Sequence, residues 1–321
     1  MQKPRVVLLC PGQGAQAVGM GKEWMNEYPA SAQTFAAADE IVELGTIGSL
    51  TRLCFEGPAE HLNRTDVSQP ALFATAVASY QALLERWGGV ELEATLGLSL
   101  GEYTALHLAG VFGFKDGLRL VATRGRLMQE AAEASEGGMV ALVGADEEQA
   151  TQLCEEARGD DILVPANFNA PGQIVVSGSA SACDRAMEAA GKMGLRASRL
   201  SVAGAFHSPL MAPAAEGMAK ALEEVEIQPL STVVYSNVTG QPHEPDNPEL
   251  LKQRLIEQLT SPVRWSEDCQ ALAATLAGMA EDERPQVHEL APGKVLKGLF
   301  RRIDKNVKVT SHDQPDTTPV S

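Results

Sequence analysis

A serine on a glycine-flanked turn is the residue of this sequence with the most direct chemical meaning. Ser99 stands in Gly97-Leu98-Ser99-Leu100-Gly101, between a predicted strand and a predicted helix. A serine on such a turn exposes its hydroxyl, and the amides that begin the next helix can stabilise an oxyanion. The pattern predicts a nucleophile that moves an acyl group by covalent catalysis. The alternative is a glycine-rich turn with an incidental serine.

A serine nucleophile requires a base, and the chain has six histidines. His207 is favoured because Ala205-Phe206-His207-Ser208-Pro209 forms a loop between predicted elements, where catalytic side chains are commonly held. The other five have structural interpretations, which are packing or the surface for His107, packing in a strand for His288, and solvation for His61, His243 and His312.

A second glycine-containing loop, Pro11-Gly12-Gln13-Gly14-Ala15-Gln16, directly follows the first predicted strand. Its small residues let the backbone approach a ligand closely. It lacks the lysine of a phosphate loop and the glycine spacing of a dinucleotide site. A backbone amide of this loop could complete an oxyanion hole together with the amide that follows Ser99.

Arginines on the helix predicted at 115–134 provide a candidate for binding an anion. Arg124 lies in an apolar stretch of this helix, with Arg119 and Arg126 nearby, and the pattern alone favours a solvated position for each. A buried arginine in an acyl-transfer site would need an anion. A free carboxylate on the substrate would bind it with bidentate geometry.

The elements that must position these residues alternate between strands and helices, which indicates an α/β fold with a mostly parallel sheet. The Pro11–Gln16 loop and Ser99 each follow a strand, so both are expected at the carboxyl edge of that sheet. The predicted strands are 6–10, 95–98, 233–235 and 287–290, and the predicted helices are 70–86, 102–109, 115–134, 249–259, 266–280 and 294–303.

The middle of the chain has a different order of elements. Strands are predicted at 139–143, 162–168, 174–177 and 196–202, with helices at 147–157 and 181–193. This β-α-β-β-α-β order is that of a ferredoxin-like module. We therefore predict a small domain at residues 135–204, inserted into a catalytic domain made of residues 1–134 and 205–321.

Composition and charge exclude several classes of protein. The 44% hydrophobic content is typical of a globular chain, and the net charge of −16 argues against a general binder of nucleic acid or anionic membranes. The five cysteines form no Cys-x-x-Cys pair, which argues against a disulfide framework and a structural metal site. The apolar run Val6–Cys10 is too short for a signal peptide, and we expect a cytoplasmic protein.

Taken together, these segments resemble the malonyl-CoA:acyl carrier protein transacylases of fatty-acid synthesis and the acyltransferase domains of polyketide synthases. The resemblance is collinear and spans nearly the whole chain. It rests on Pro11–Gln16, Gly97–Tyr103, Arg124-Gly125, Asn169-Ala170-Pro171-Gly172-Gln173, Phe206-His207-Ser208 and Ala291-Pro292-Gly293.

The resemblance implies a fold and a set of roles. The fold would be an α/β-hydrolase-like core, mostly parallel in its sheet, with the ferredoxin-like insert. Ser99 would be acylated, with His207 as its base, and Arg124 would hold the free carboxylate of malonate. The remaining implied roles are an oxyanion hole from the amides of Gln13 and Leu100, a His207-orienting backbone carbonyl at Gln258, and malonyl selectivity from Phe206.

The same resemblance implies the partners and the reaction. Malonyl-CoA would donate the acyl group, and the phosphopantetheine thiol of an acyl carrier protein would accept it in a ping-pong mechanism, with no cofactor or metal of the enzyme's own. The alternatives are a serine hydrolase or thioesterase using Ser99 and His207, a free-standing polyketide-pathway acyltransferase, and a non-catalytic binding subunit.

An acidic carrier would need a local basic patch on this acidic chain. One candidate is a set of six basic residues near the C-terminus, opposed only by Asp304; a solvated helix face is the alternative. The set consists of Lys294, Lys297, Arg301, Arg302, Lys305 and Lys308.

Overall fold

Two separate β-sheets organise the protein in a computed structural model that describes residues 3–315. The larger has the strand order β10-β9-β1-β2-β7-β8, and the smaller has the order β4-β5-β3-β6. Within the described residues the strands are β1 (Arg5–Cys10), β2 (Glu91–Gly97), β3 (Gly137–Val143), β4 (Leu163–Ala170), β5 (Gln173–Ser179), β6 (Arg196–Arg199), β7 (Val233–Ser236), β8 (Gln241–Pro242), β9 (Gln286–Glu289) and β10 (Val309–Ser311).

The larger sheet is parallel from β10 to β7, and only the short β8 pairs antiparallel, with β7. Side chains of β1 alternate between two hydrophobic cores, with Val6 and Leu8 on one face and Val7 and Leu9 on the other. Burial on both faces explains why this strand is a continuous apolar run. The mostly parallel α/β arrangement predicted from the sequence is confirmed.

Helices cover both faces of the larger sheet, and α5, α6 and α7 contribute to one core while α12 and α13 contribute to the other. The helices in the described part are α1 (Lys22–Glu27), α2 (Pro29–Ile41), α3 (Leu50–Glu56), α4 (Ala59–Leu62), α5 (Thr65–Trp87), α6 (Leu100–Leu108), α7 (Phe114–Glu133), α8 (Glu147–Arg158), α9 (Ala180–Lys192), α10 (Ala212–Glu223), α11 (Pro248–Glu257), α12 (Trp265–Ala277) and α13 (Val295–Ile303).

The smaller sheet is antiparallel throughout and separate from the larger one. Side chains of β3 and β5 such as Val140 and Val176 pack with α8 and α9 in a third core. The opposite face of the same strands carries Met139, Ala141 and Val175, which line a cavity shared with the larger sheet. The smaller sheet therefore forms one wall of that cavity.

The inserted domain at residues 135–204 remains a prediction, and so does the catalytic domain around it. The outer limits of that catalytic domain, residues 1 and 321, lie outside the described residues. Five helices were not predicted, α1 to α4 and α10, and neither were the strands β8 and β10. No helix between residues 3 and 315 is long and apolar enough to cross a membrane.

Candidate active site

The turn that carries Ser99 connects the end of β2 to the start of α6. Ser99 has φ 53° and ψ −101°, which is an unfavourable conformation for a residue with a side chain. The flanking glycines allow the tight turn. A Cβ on Gly97 would lie 1.9 Å from the backbone of Gly101, and a Cβ on Gly101 would lie 2.1 Å from the carbonyl oxygen of Cys10. Both glycines are therefore required by the close packing of backbone on backbone.

Ser99, His207 and Gln258 form a chain of hydrogen bonds. The Oγ of Ser99 lies 2.8 Å from Nε2 of His207, and Nδ1 of His207 lies 2.8 Å from the backbone oxygen of Gln258. A carbonyl oxygen only accepts, so Nδ1 carries the proton and Nε2 of the neutral ring is free to accept from Ser99. The three predicted groups thus lie in the order that a nucleophile, a base and an orienting carbonyl require.

The electrostatic environment of His207 favours its neutral form. Its pKa is lowered from 6.5 to about 4, mainly by burial and also by the positive charge of Arg124, while the hydrogen bond to Gln258 opposes both. At neutral pH the ring can accept a proton.

Arg124 is buried beside Ser99, whereas Arg119 and Arg126 on the same helix are exposed. Its Nη2 donates to Ser99 Oγ at 3.0 Å and to the side-chain oxygen of Gln258 at 2.8 Å, and its Nη1 donates to Gln69 at 2.8 Å. Burial lowers the pKa of Arg124 from its ordinary value. The guanidinium is therefore a desolvated cation within hydrogen-bonding distance of the serine hydroxyl.

The direct partners of Arg124 are all uncharged. Within residues 3–315 no carboxylate forms a salt bridge with it, and its Nε is buried without a hydrogen-bond partner. A buried arginine that forms no salt bridge and whose Nε is unsatisfied can bind a carboxylate with two hydrogen bonds.

The Pro11–Gln16 loop lies against the Ser99 turn. A Cβ on Gly12 would lie 2.2 Å from the carbonyl oxygen of Leu98, so only glycine permits this approach. In the described part of the chain neither the amide of Gln13 nor that of Leu100 donates to a protein acceptor. Both N–H groups are thus unengaged at the two segments predicted to supply an oxyanion hole.

A cavity of about 540 Å³ opens over the hydroxyl of Ser99. Its wall combines the loop at Gln13, the side chains of Arg124 and His207, and Phe206, which is 5% exposed. Val295 of α13, 48% exposed, lies at its border. The cavity has room for an acyl group and the end of a long thiol carrier.

Two of the histidine predictions are wrong. His243 and His312 were expected to be solvated, but their exposed fractions are 8% and 2%. His243 lies 2.7 Å from the buried carboxylate of Glu102, and His312 lies 2.8 Å from His288. Their neighbours in the sequence are polar, but partners distant in the chain determine their burial. The prediction of solvation from the local sequence was therefore wrong.

His107 and His288 pack against aromatic side chains, as expected from the sequence. His107 packs against the rings of Phe73 and Phe114, and His288 is buried against Trp87. His61 is partly exposed. Of the six histidines, only His207 contacts Ser99 in the described structure.

Sequence reasoning missed four polar residues around Ser99, which are Gln69, Glu102, Asn237 and Asp268. All are fully buried. Glu102 lies within the segment that carries the resemblance and received no role, while the other three stand in segments with no chemical pattern of their own. No signal from neighbouring residues could have found them, because each contact joins distant parts of the chain.

Comparisons with known proteins agree with this geometry. The acyl transferase domain family matches residues 7–282. The malonyl CoA-acyl carrier protein transacylase of Bacillus subtilis strain 168 is 40% identical over 317 residues, which is 98% of this chain and 95% of that protein.

Solved structures extend the likeness to three dimensions. The malonyl-CoA:acyl carrier protein transacylase of Xanthomonas oryzae pv. oryzae matches with a TM-score of 0.88 and 39% identity, covering 98% of this chain and 96% of that one. A malonyl-transacylase in complex with its type II PKS acyl-carrier protein matches with a TM-score of 0.87 and 36% identity, covering 98% and 97%.

Proposed function

Since this chain belongs to the acyl transferase domain family, we propose that it transfers a malonyl group from malonyl-CoA to the phosphopantetheine thiol of an acyl carrier protein. The transfer serves fatty-acid biosynthesis and proceeds through an ester of malonate on Ser99. The enzyme is an acyltransferase, and its partners are the coenzyme A thioester and the carrier protein.

The observation that carries the choice of malonyl is the position of Arg124. Its buried guanidinium lies 3.0 Å from Ser99 Oγ, and no carboxylate of residues 3–315 forms a salt bridge with it. An acyl group with a free carboxylate would supply an anionic partner, whereas an acyl group without one would leave the desolvated charge unpaired. Phe206 narrows the same cavity and is proposed to favour malonyl over branched homologues.

The first half-reaction acylates the enzyme. Ser99 Oγ attacks the thioester carbonyl carbon while His207 Nε2 takes the hydroxyl proton, and the Gln258 carbonyl keeps the ring oriented. The amides of Gln13 and Leu100 stabilise the oxyanion. As the carbon–sulfur bond breaks, His207 returns the proton to the sulfur, and coenzyme A leaves as its thiol.

The second half-reaction repeats these steps with a new thiol. The phosphopantetheine thiol gives its proton to His207 and attacks the malonyl ester. When the ester bond breaks, Ser99 Oγ recovers the proton, so the enzyme ends unchanged. The enzyme contributes no cofactor or metal of its own to either step. Each thiol substrate visits the same cavity in turn, and ping-pong kinetics follow.

Detection of the acyl-enzyme by mass tests the assignment of Ser99 as the nucleophile. We predict that wild-type protein incubated with malonyl-CoA, denatured and analysed by intact mass gains one malonyl group, because the ester survives denaturation. Ser99→Ala removes the attacking oxygen and should gain none. If Ser99→Ala carries malonate at the wild-type level, the assignment of Ser99 is wrong.

The same assay separates transfer from hydrolysis. A serine hydrolase or thioesterase would share Ser99 and His207 but would have no use for Arg124. We expect malonate to leave the enzyme slowly in water and rapidly when a carrier with a phosphopantetheine thiol is added. Fast release without carrier would instead identify a hydrolase.

Finer statements about architecture and location are also proposals. We propose an α/β-hydrolase-like catalytic domain of residues 1–134 and 205–321 and a ferredoxin-like insert at 135–204. The observed order β3-α8-β4-β5-α9-β6 and its antiparallel pairing support the insert. A cytoplasmic location is proposed from the same family relationship.

A further inference from the structure

The backbone of Ser99 is held from both sides by side-chain amides. Its N–H donates to Oδ1 of Asn237 at 2.6 Å, and its carbonyl oxygen accepts from Nε2 of Gln258 at 3.1 Å. These contacts join residues 138 and 159 positions apart. They act on the one residue of the turn that is not glycine and yet has a positive φ.

The side chain of Asn237 both accepts and donates hydrogen bonds, and only an amide can make this set of contacts. Its Oδ1 accepts from Ser99, while its Nδ2 donates to the carbonyl oxygen of Gly97 at 2.8 Å and to Oδ2 of Asp268 at 2.8 Å. A carboxylate in this place would have no proton for either acceptor. The side chain therefore connects the end of β2 to Ser99 across the turn.

Glu102 ties the two amide residues together beneath the turn. Its Oε2 accepts from Nε2 of Gln258 at 2.5 Å and from the backbone N–H of Asn237 at 3.3 Å, and its Oε1 lies 2.7 Å from Nε2 of His243. The carboxylate is fully buried. One charged group thus fixes both residues that hold Ser99.

We propose that Asn237 and Glu102 are positioning residues that hold the backbone of Ser99 in the conformation that aims its hydroxyl at His207. The inference rests on the proposed role of Ser99 as the nucleophile. Neither side chain lines the cavity, and neither contacts Ser99 Oγ, His207 or Arg124 by a hydrogen bond. Asn237 acts directly on the backbone of Ser99, and Glu102 acts on it through Asn237 and Gln258. Both should therefore set the rate of reaction rather than the binding of malonyl-CoA.

The test compares two asparagines that each bind a backbone amide. Asn237→Ala removes the contact with Ser99, and the control Asn247→Ala removes a contact with the amide of Leu250 at the start of α11. For each folded variant we would measure kcat and KM for malonyl-CoA, and the rate at which an uncharged fluorophosphonate labels Ser99. Circular dichroism and thermal unfolding would establish folding.

Asn237→Ala should lower kcat and the labelling rate together by about 10²-fold, because a small misplacement of a reacting atom has effects of that size. The KM for malonyl-CoA should stay within about threefold of wild type, and Asn247→Ala should lower only thermal stability. Wild-type labelling by folded Asn237→Ala, or a rise in KM with unchanged kcat, would overturn the proposal.

A second variant covers the case in which the truncated protein does not fold. Asn237→Asp keeps the volume and the acceptor for Ser99 but loses at least one of the two donated hydrogen bonds, because a carboxyl group has at most one proton to donate. The values of kcat and of the labelling rate should again fall together. Wild-type rates in that variant would also overturn the proposal. Because labelling needs no malonyl-CoA, a failure of the positioning role is distinguishable from a wild-type protein that does not accept malonate.

Discussion

Arg124 carries its charge where solvent does not reach, and its hydrogen bonds go to neutral oxygens of Gln69, Gln258 and Ser99. The buried Glu102 favours the charged form electrostatically but forms no salt bridge with it among the described residues. Neutral acceptors compensate a buried cation less well than a carboxylate does. The site is therefore poised for an anion before substrate arrives. The energetic consequence is selectivity against acyl groups that leave the charge unpaired.

Replacing Arg124 tests this selectivity directly. Arg124→Ala should lower kcat/KM for malonyl-CoA by about 10²- to 10³-fold, the usual effect of truncating one partner of a buried charge pair. Acetyl transfer should be retained or should increase. Steady-state rates with both thioesters provide the measurement, and Arg119→Ala, exposed on the same helix, is the control. Equal malonyl and acetyl rates in the wild type would contradict the role of Arg124.

The lowered pKa of His207 predicts an unusual pH profile. The base acts in its neutral form, so kcat/KM should rise with pH through about 4 and be level above about pH 5.5. Removing the positive charge in Arg124→Ala should move the midpoint up toward 6.5, measured by fluorophosphonate labelling. A wild-type midpoint near 6.5 would contradict the effect of burial.

Folding must be checked at each pH in that experiment. The folded protein holds His207 neutral, with a pKa below that of the unfolded chain. Its contribution to stability is therefore fully present above the unfolded pKa and is lost as pH falls below it. Circular dichroism at the same pH values separates loss of the base from loss of the fold.

Local sequence patterns predicted some of the site residues but not others. Ser99 and the Pro11–Gln16 loop could be predicted because each directly follows an apolar strand. Asn237 could not, because its partner Ser99 is 138 residues away. His243 was misassigned for the same reason, since the buried Glu102 that binds it lies 141 residues earlier.

At the scale of elements, the site depends on how closely β1, β2 and α6 approach one another. The backbone of Gly101 lies against the carbonyl of Cys10 at the end of β1, and that of Gly97 lies against Gly101. Parallel strands place both loops at one edge, and the glycines then let the loops touch. The proposed oxyanion hole and the proposed nucleophile thus depend on the same backbone contacts.

A pair of glycine substitutions tests this packing. Gly101→Ala would place a Cβ 2.1 Å from the Cys10 carbonyl, and we expect a loss of about 1–3 kcal/mol in the free energy of unfolding, together with slower labelling of Ser99. Gly191→Ala, in α9 with nothing within 4 Å of the added atom, should gain about 0.5–1 kcal/mol. Urea unfolding measures both, and wild-type stability of Gly101→Ala would contradict the contact.

Long periodic or apolar elements were predictable, whereas short ones were not. Strand β1 and helix α7 stand out because burial requires an apolar run or an amphipathic face. Strand β10 has only three residues, pairs in parallel with β9, and donates the Ser311 hydroxyl to Glu289 of β9. The same carboxylate accepts hydrogen bonds from the amides of Leu296 and Lys297 at the start of α13. No local sequence pattern could have predicted these contacts.

At the scale of the whole molecule, charge is unevenly distributed. The chain carries a net charge of −16, yet α13 and the segment after it present six exposed basic side chains, opposed by the partly buried Asp304. These are the residues Lys294, Lys297, Arg301, Arg302, Lys305 and Lys308. Helix α13 also contributes Val295, Leu296 and Leu299 to the cavity wall, so the basic patch borders the entrance to Ser99.

This placement predicts that the patch docks an acidic carrier protein. Reversing Lys297 and Arg301 to glutamate should raise the KM for the carrier by about tenfold at low salt, because complementary charge speeds encounter and suppresses wrong orientations. The rise should shrink as added salt screens the interaction. The KM for malonyl-CoA in Ser99 acylation should not change, because we propose that Arg124, and not the patch, holds the malonyl group.

The matched control is the reversal of Lys115 and Arg119, an exposed lysine and arginine with the same spacing on α7. It changes the net charge by the same amount, so a general electrostatic effect would appear equally in both double variants. An effect confined to α13 locates the carrier at the cavity entrance. An equal rise in the KM for malonyl-CoA would assign the patch to the coenzyme instead. If the carrier-dependent rate of the Lys297 and Arg301 double variant falls with salt as steeply as that of the wild type, the carrier docks elsewhere on the protein.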